Sequence, residues 1–406
     1  MTDINTDIVI IGGGIAGLWL HHRLNNMGYH AILIEKAQLG GGQTLSSQGI
    51  IHGGTKYTLN AALSGAASAI ADMPQRWLDC LAGKGELDLS SVKLLSRNQL
   101  MWSTQGISSK LTSFLSSKAL NGKMVPISSE NYPAFFTHRS FTGKLYQLNE
   151  PVLDTHSLIE TLSKRWRHRI LHTHDKYTFT RTQHHIEELT IDNGLAIKAQ
   201  EFVFAAGEGN EELLKSIGVQ SAPMQRRPLQ MVLAKSKTLP TLYAHCIGAS
   251  TKPIATITSH RHTDGDNVWY IGGAVAEEGA TMSSFPLINK TQKIIKKILP
   301  WANLEGIEWC THSVNRAEPA QKNLLRPDTA FLSSENNLHV AWPTKLALAP
   351  DLSDKFISIL DTTTAYIEDS KQKITDEQLR KLPSQFLTSV SPSLWDRCFS
   401  GKTSHG

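Results

Sequence analysis

The chain has 406 residues, 40% of them hydrophobic and 19% charged, with a formal net charge of +5. That length supports one or two packed domains, and the composition is that of a globular protein rather than a disordered or fibrous one. The charge is too small for the length to argue for a nucleic-acid partner. The N-terminus lacks the basic, apolar and small-residue succession of a signal peptide, and no apolar run approaches the ~18 residues that span a bilayer. Cys80, Cys246, Cys310 and Cys398 are far apart and form no C-x-x-C, which predicts reduced thiols in a cytoplasmic protein rather than a disulfide framework or a zinc site.

Residues Asp7 to Gly17 read DIVIIGGGIAG. The apolar run Ile8 to Ile11 predicts a strand that meets Gly12, Gly14 and Gly17, spaced G-x-G-x-x-G. Leu18 to Met27 suits a helix, Gly28 its stop, and Ala31 to Ile34 a second strand ending on Glu35. This is the βαβ start of a dinucleotide-binding fold. Gly12 permits the tight turn, Gly14 lets a pyrophosphate approach the backbone, and Gly17 lets helix and strand pack closely. The helix start at Ile15 and Ala16 offers N–H groups and a partial positive charge to phosphates. Glu35, with Lys36 beside it, is placed to accept from a ribose hydroxyl. Gly40 to Tyr57 (GGGQTLSSQGIIHGGTKY) is rich in small and hydroxyl residues and has little helical periodicity. It reads as a loop wrapping a cofactor, with Gln43, Thr44, Ser47, Gln48 and Gly49 as contacts.

Further along, a small-residue helix is predicted around Ala61 to Leu81. Strands follow over Val92 to Ser103 and Gly143 to Leu148, with a short helix over Ser108 to Leu120 between them. Leu158, Ile159 and Leu162 are spaced for a helix over Asp154 to Arg165. The densest basic patch, Lys164 to Arg169, reads as the solvated end of that helix, with an acidic partner site as the alternative. His184 to Thr190 and Leu195 to Ala206 form a hairpin around Asp192-Asn193-Gly194. Leu229 to Ala234, Ile254 to Ser259 and Val268 to Ala274 are strands, the last two joined by the turn Asp264-Gly265-Asp266-Asn267. Lys290 to Leu299 is a helix stopped by Pro300. The polar stretch after about Leu382 is expected to be partly disordered.

Nucleotide-binding pieces therefore occur at the start, middle and end. The expected fold is α/β: a Rossmann-like domain (1–85, 150–215 and 315–406) interleaved with an α+β, antiparallel-sheet substrate domain (86–149 and 216–314). Gly401-Lys402-Thr403 is no P-loop, since Asp396 stands where its glycine belongs, and no G-x-S-x-G elbow exists. His172-Thr173-His174-Asp175 and His260-Arg261-His262 each lack a third ligand at useful spacing, so no metal is expected.

Gly49-Ile50-Ile51-His52-Gly53-Gly54, after its small-residue loop, resembles the glycine oxidase / D-amino acid oxidase superfamily of FAD enzymes. The likeness is greatest to the branch of glycerol-3-phosphate dehydrogenases and L-2-hydroxyglutarate oxidases, where a similar segment passes the flavin ring. Glu201 to Gly207 (EFVFAAG) resembles that family's strand ending in A-A-G, which implies cofactor contacts at Ala206 and Gly207. Asn337 to Pro350 (NLHVAWPTKLALAP) resembles its C-terminal flavin segment: a strand, a loop over the pyrimidine edge and a helix facing the ring. That implies contacts at Thr344, Lys345 and Leu346. The usual glycine-rich loop is here Trp342-Pro343-Thr344-Lys345. The resemblance spans Asp7 to about Asp361.

It implies non-covalent FAD and an oxidase or dehydrogenase. Such an enzyme would oxidise a C–N or C–O bond of a small, anionic substrate (amino acid, amine or 2-hydroxy acid) by hydride transfer to flavin. The electrons would pass to O2 or another acceptor. In relatives an arginine before a proline, at about this distance from the last flavin strand, binds the substrate carboxylate. Arg316 is favoured for that role over Arg326, and a surface ion pair with Glu318 or Asp328 is the alternative. His52 resembles the histidine beside the flavin in the hydroxy-acid branch: a general base, a substrate donor or a loop-fixing side chain. Lys345 falls at the ring edge where a cation steadies anionic reduced flavin, unless it faces solvent. The competing function is a flavoprotein acting on a macromolecule such as tRNA, or a non-catalytic flavin-binding subunit. That would want a clustered basic face or an added RNA domain, and the sequence shows neither.

Overall fold

The computed structural model describes residues 3–53, 70–103, 124–174, 177–182, 185–220, 222–248, 253–321, 327, 329–362 and 373–400. The apolar strand Ile4–Ile11 is buried along nearly its whole length and lies inside a sheet. Leu338–Trp342, Leu195–Phe204, Ile4–Ile11, Ala31–Glu35 and Ile170–His172 run parallel in that order, and Phe331–Glu335 adds an antiparallel edge. Both faces are covered, as parallel strands require. Ile8 and Ile10 point into one core with Trp19 and Phe356, while Val9 and Ile11 point into another with Phe202 and Trp342. The expected hairpin is present: Ile186–Ile191 pairs antiparallel with the start of Leu195–Phe204.

Helix Ile15–Asn26 packs against helices Thr155–Lys164 and Ala349–Thr362. The Trp19 and Trp77 rings meet at 4.6 Å, and the Trp77 indole N–H donates to Ala347 O at 3.0 Å. This ties the helix Met73–Leu81 to the segment that follows the last parallel strand. The basic patch is less solvated than expected. Arg169 donates to Asp376 at 2.7 Å and stacks 4.7 Å from the Trp166 ring.

A second eight-stranded sheet runs Glu308–Pro319, Met224–Ser236, Asn267–Gly272, Pro253–Arg261, Ala244–Ile247, Gln99–Ser103, Leu145–Leu148 and Met124–Pro126. All its pairings are antiparallel except Ala244–Ile247 with Gln99–Ser103. Helix Ser284–Ile298 packs on it through Leu287 and Ile295. That helix begins before the expected Lys290 because Pro286 is tolerated in a first turn. The strand expected to reach Ala274 stops at Gly272. Gly273, at φ +82°, turns the chain into the short helix Ala274–Gly279. The helix expected over Ser108 to Leu120, and the Ala61 to Ala69 part of another, lie outside the described residues. Among the described residues no helix is long and apolar enough to cross a membrane.

The expectation of disorder after Leu382 is corrected as far as Ser400. Leu39 pairs with Val390 as an isolated bridge, and helix Leu394–Phe399 buries Leu394 and Trp395. The Trp395 ring stacks on His260 at 3.9 Å. Polar composition concealed these few apolar anchors.

Burial pushes His260 and His21 down from 6.5 to about 3, and His30 to about 4. Each stays neutral in the fold, while the unfolded chain binds its proton below about pH 6.5. Their contribution is whole above that pH and is lost progressively on acidification until the folded values are reached. Each extra proton taken up on unfolding adds about 1.4 kcal/mol per pH unit to the slope. His260→Phe keeps a ring against Trp395 and removes one titration. Urea unfolding between pH 7 and 5 is expected to show a shallower loss of stability in that variant; an unchanged slope would contradict the assignment.

Candidate functional site

A cavity of about 1740 Å³ is lined by the glycine loop, the loop after Glu35, Ala206-Gly207, the Trp342–Leu346 segment and strands of the second sheet. This exceeds the ~300–1,000 Å³ of a pocket for one small ligand, so an extended dinucleotide and a substrate fit together.

Three glycines close the loop. Gly12 has φ +115°, and a Cβ there would lie 2.6 Å from Ala205 O. A Cβ on Gly17 would overlap Gly12 O, and one on Gly13 would overlap Leu39. Gly14 differs, since a Cβ there would meet only Thr44 Oγ1, at 3.3 Å. The room in front of the helix start therefore belongs to the cavity, which is the place for phosphates. Thr44 Oγ1 also accepts from Ile15 N–H at 3.0 Å.

Glu35 lines the cavity and has a structural task as well. Its two oxygens accept from Gly13 N–H at 2.6 Å and Ala37 N–H at 2.8 Å, fixing the glycine loop to the end of the second strand. Each oxygen keeps a lone pair for a ribose hydroxyl. Lys36 stands at the rim, 3.3 Å from Glu212. His174 and Tyr177 also line this end; His174 was weighed only as a metal ligand, and Tyr177 sits in no motif.

The Gly40–Gly53 loop bridges the sheets. Gln43, Thr44, Ser47, Gln48 and Gly49 all line the cavity. Gln48 reaches away from the first sheet and donates to Thr256 O at 3.1 Å and Tyr270 O at 2.9 Å. Ser46, overlooked in the sequence, lies 2.9 Å from His312 Nε2, and its carbonyl accepts from the Tyr270 hydroxyl at 2.8 Å. Burial, with Arg397 adding to it, lowers His312 to about 4, so its imidazole is neutral. Gly49 has φ +70°, and a Cβ there would overlap Leu153 O.

At the opposite wall Gly207 has φ +60°, and its carbonyl accepts from the Trp342 indole at 3.0 Å. Ala206 N–H donates to Asn210 at 2.8 Å. Thr344 has φ +59°, and its hydroxyl donates to Thr329 O at 2.9 Å. Lys345 is buried at the cavity wall, which removes the solvent-facing alternative. Its carbonyl accepts from Leu348 N–H at 3.0 Å, opening the turn that leads into helix Ala349–Thr362, and Leu346 lines the cavity beside it.

His52 also lines the cavity. Its Nδ1 lies 2.9 Å from Glu150 Oε2, and Gly53 N–H donates to Glu150 Oε1 at 3.2 Å. His245 Nε2 stands 3.9 Å from the same Glu150 oxygen, and His245 Nδ1 lies 2.8 Å from Thr256 Oγ1. Glu150 and His245 were not found in the sequence, where they are remote from His52 and from any motif. Ligand atoms of the three residues lie within 4.8 Å of one another. Of the motifs considered for metal, His172 and His174 are 3.3 Å apart, and Asp175 lies outside the described residues.

Arg316 is on strand Glu308–Pro319, opposite Arg227, and lines the cavity. Glu318, the alternative partner, is engaged by Arg227 and by Gln225 at 3.1 Å. Glu277, not singled out in the sequence, lines the cavity too. Arg326 and Asp328 lie outside the described residues.

A model of the DAO family, described as FAD dependent oxidoreductase, matches residues 7–310. The chain is 47% identical over 359 residues to the probable FAD-dependent oxidoreductase PA4991 of Pseudomonas aeruginosa, over 88% of this chain and 91% of that protein. The crystal structure of PA4991 superposes with a TM-score of 0.83 at 40% identity, over 98% of this chain and 99% of that one. Glycine oxidase from Geobacillus kaustophilus shares the fold with a TM-score of 0.65 at 14% identity, over 88% of this chain and 95% of that one. L-proline dehydrogenase from P. horikoshii does so with a TM-score of 0.65 at 16% identity, over 89% and 95%. With the glycine loop, the latch at Glu35 and the room at Gly14 all suited to a dinucleotide, the chain belongs to the DAO family of FAD-dependent oxidoreductases and takes FAD as its cofactor.

Proposed function

We propose that this enzyme oxidises a C–N or C–O bond of a small anionic substrate, an amino acid, amine or 2-hydroxy acid. The observation that carries the reading is the meeting of Arg316, His52 and Lys345 on one cavity wall system with the glycine loop. FAD supplies the hydride acceptor when bound. Gly12, Gly14, Ile15 and Ala16 hold its phosphates, Gly17 lets the helix close on the strand behind them, and Glu35 holds its ribose, with Lys36 at that rim. Gln43, Thr44, Ser47, Gln48 and Gly49 wrap it from one side; Ala206, Gly207, Thr344 and Leu346 do so from the other. Arg316, reaching in from the second sheet, anchors the substrate anion with a planar fork that lysine does not reproduce. His52 takes the proton from the substrate's nitrogen or oxygen. Lys345, at the cavity wall, offers its ammonium to negative charge arriving on the flavin side. The parallel-sheet part then holds the cofactor and the antiparallel sheet roofs the substrate.

The decisive experiment is anaerobic: mix the yellow holoenzyme with a panel of amino acids and 2-hydroxy acids and watch for bleaching. The two distant fold neighbours are named for amino-acid substrates, which puts amino acids first in the panel. If no member of the panel reduces the flavin, the reading fails.

Three variants test the parts. Gly14→Val places a branched side chain in the phosphate space and is expected to give folded protein without flavin; stoichiometric FAD in that variant would show that the phosphates lie elsewhere. Arg316→Lys should raise KM roughly ten- to hundredfold, the equivalent of losing a charge-assisted contact of ~1.5–3 kcal/mol, with flavin content unchanged. Normal KM there would argue that the substrate is no carboxylate. His52→Ala should slow flavin reduction at saturating substrate by on the order of 10²-fold, read by stopped flow.

A further inference from the structure

Behind His52 stands a buried carboxylate. Glu150 is 1% exposed and His245 is 0% exposed, while the His52 side chain, 21% exposed, reaches the cavity. An ionised carboxylate only accepts, so with Glu150 ionised the 2.9 Å contact between its Oε2 and His52 Nδ1 places the imidazole proton on Nδ1. The lone pair is then on Nε2. The other Glu150 oxygen is fixed by Gly53 N–H, one residue beyond His52, so the glutamate holds both the ring and the backbone that carries it. His245 faces the same glutamate, and the His52 and His245 rings lie near-parallel with centroids 6.2 Å apart. Thr256, which holds His245 by its hydroxyl, also accepts at its carbonyl from Gln48 in the cofactor loop.

We propose that Glu150 and His245 are positioning residues that set the tautomer and proton affinity of His52, and this rests on His52 being the proton acceptor. As the substrate's N–H or O–H bond breaks, its proton passes to His52 Nε2. The electron pair left on nitrogen or oxygen forms the new C=N or C=O bond, and the C–H pair leaves as hydride to oxidised flavin. The imidazolium so formed faces a buried carboxylate, where the attraction between opposite charges is far stronger than in water. His245, oriented by Thr256, stands 3.9 Å from the same Glu150 oxygen that meets His52 and closes off the space around it.

Glu150→Gln tests this. An amide keeps its oxygen on Gly53 N–H and turns its NH2 toward His52, which drives the ring proton to Nε2, where the acceptor is needed. Two readouts are used. In 15N-histidine NMR of the holoenzyme, with His52 assigned by difference against His52→Ala, the native protein is expected to carry the proton on Nδ1 and Glu150→Gln on Nε2. In anaerobic stopped flow, with whichever amino or 2-hydroxy acid of the panel bleaches fastest, Glu150→Gln should lower the limiting reduction rate roughly 10²-fold or more. KM and FAD content should hold, and the acid limb of the pH–rate profile should be altered. His245→Gln, a second variant should the first fail to fold, should lower the same rate several-fold and alter the same limb. Native rate and pH profile in either variant, or an Nε2 proton on His52 in the native enzyme, overturns the proposal. So does one equivalent of bound metal by elemental analysis that Glu150→Gln loses. A native reduction rate in His52→Ala fells the base itself and with it that part of the proposed function. A slow His52→Ala beside a native Glu150→Gln fells the relay alone. If nothing in the panel bleaches the flavin, the NMR result decides.

Discussion

Backbone lies against backbone at the end of the first strand, and the cofactor end of the molecule follows from that. Gly12 meets the carbonyl of Ala205 on one side and Gly17 on the other, with no room for a side chain at either glycine. Because the approach is that close, the strands Ile4–Ile11 and Leu195–Phe204 deliver Gly12 and Ala206 to the same rim, and helix Ile15–Asn26 starts pointing into the crevice. Parallel sheets bind ligands outside the carboxyl ends of their strands. The carboxylate of Glu35 then latches the loop to the neighbouring strand. A single bulky substitution here displaces two strands and a helix start together.

The second sheet is joined to this end by a different kind of contact. The Gly40–Gly53 loop carries few apolar anchors, and its position is fixed by directional bonds to the second sheet from Gln48, Ser46 and Tyr270. Hydrogen bonds of this sort add little net stability each but are costly to leave unmade when buried. They join the Gly40–Gly53 loop to the second sheet, which carries Arg316. The cavity is therefore shaped by polar contacts between two apolar bodies, each with its own core.

What the sequence disclosed was local. Glycine spacing, the acid after the second strand and the A-A-G turn each announce themselves within a few residues, and each stands where it was expected. The strand Glu308–Pro319 went unseen, although Arg316 on it was singled out, because its side chains are mostly half-exposed and polar and give no clean alternation. The short helix after Gly273 was not expected, and its first residue, Ala274, was read as the end of a strand, since it takes only one glycine at positive φ to turn the chain. Glu150 and His245 were invisible for a different reason: a buried charge is recognisable only by its partners, and these are brought together by tertiary pairing. Ordinary composition near Trp395 hid two deeply buried side chains in the same way.

The bridge between Leu39 and Val390 has a consequence for how the enzyme is made. Leu39 N–H donates to Ser389 O at 2.8 Å and Ser391 N–H to Leu39 O at 3.0 Å, so the loop that begins at Gly40 is braced by residues synthesised some 350 positions later. The strand Leu338–Trp342, whose end lines the cavity, is also a late arrival. A nascent chain on the ribosome can form the first βαβ unit early, yet it has no finished cradle to offer. Closing the cavity at Gly40 thus waits until two segments some 350 positions apart have met.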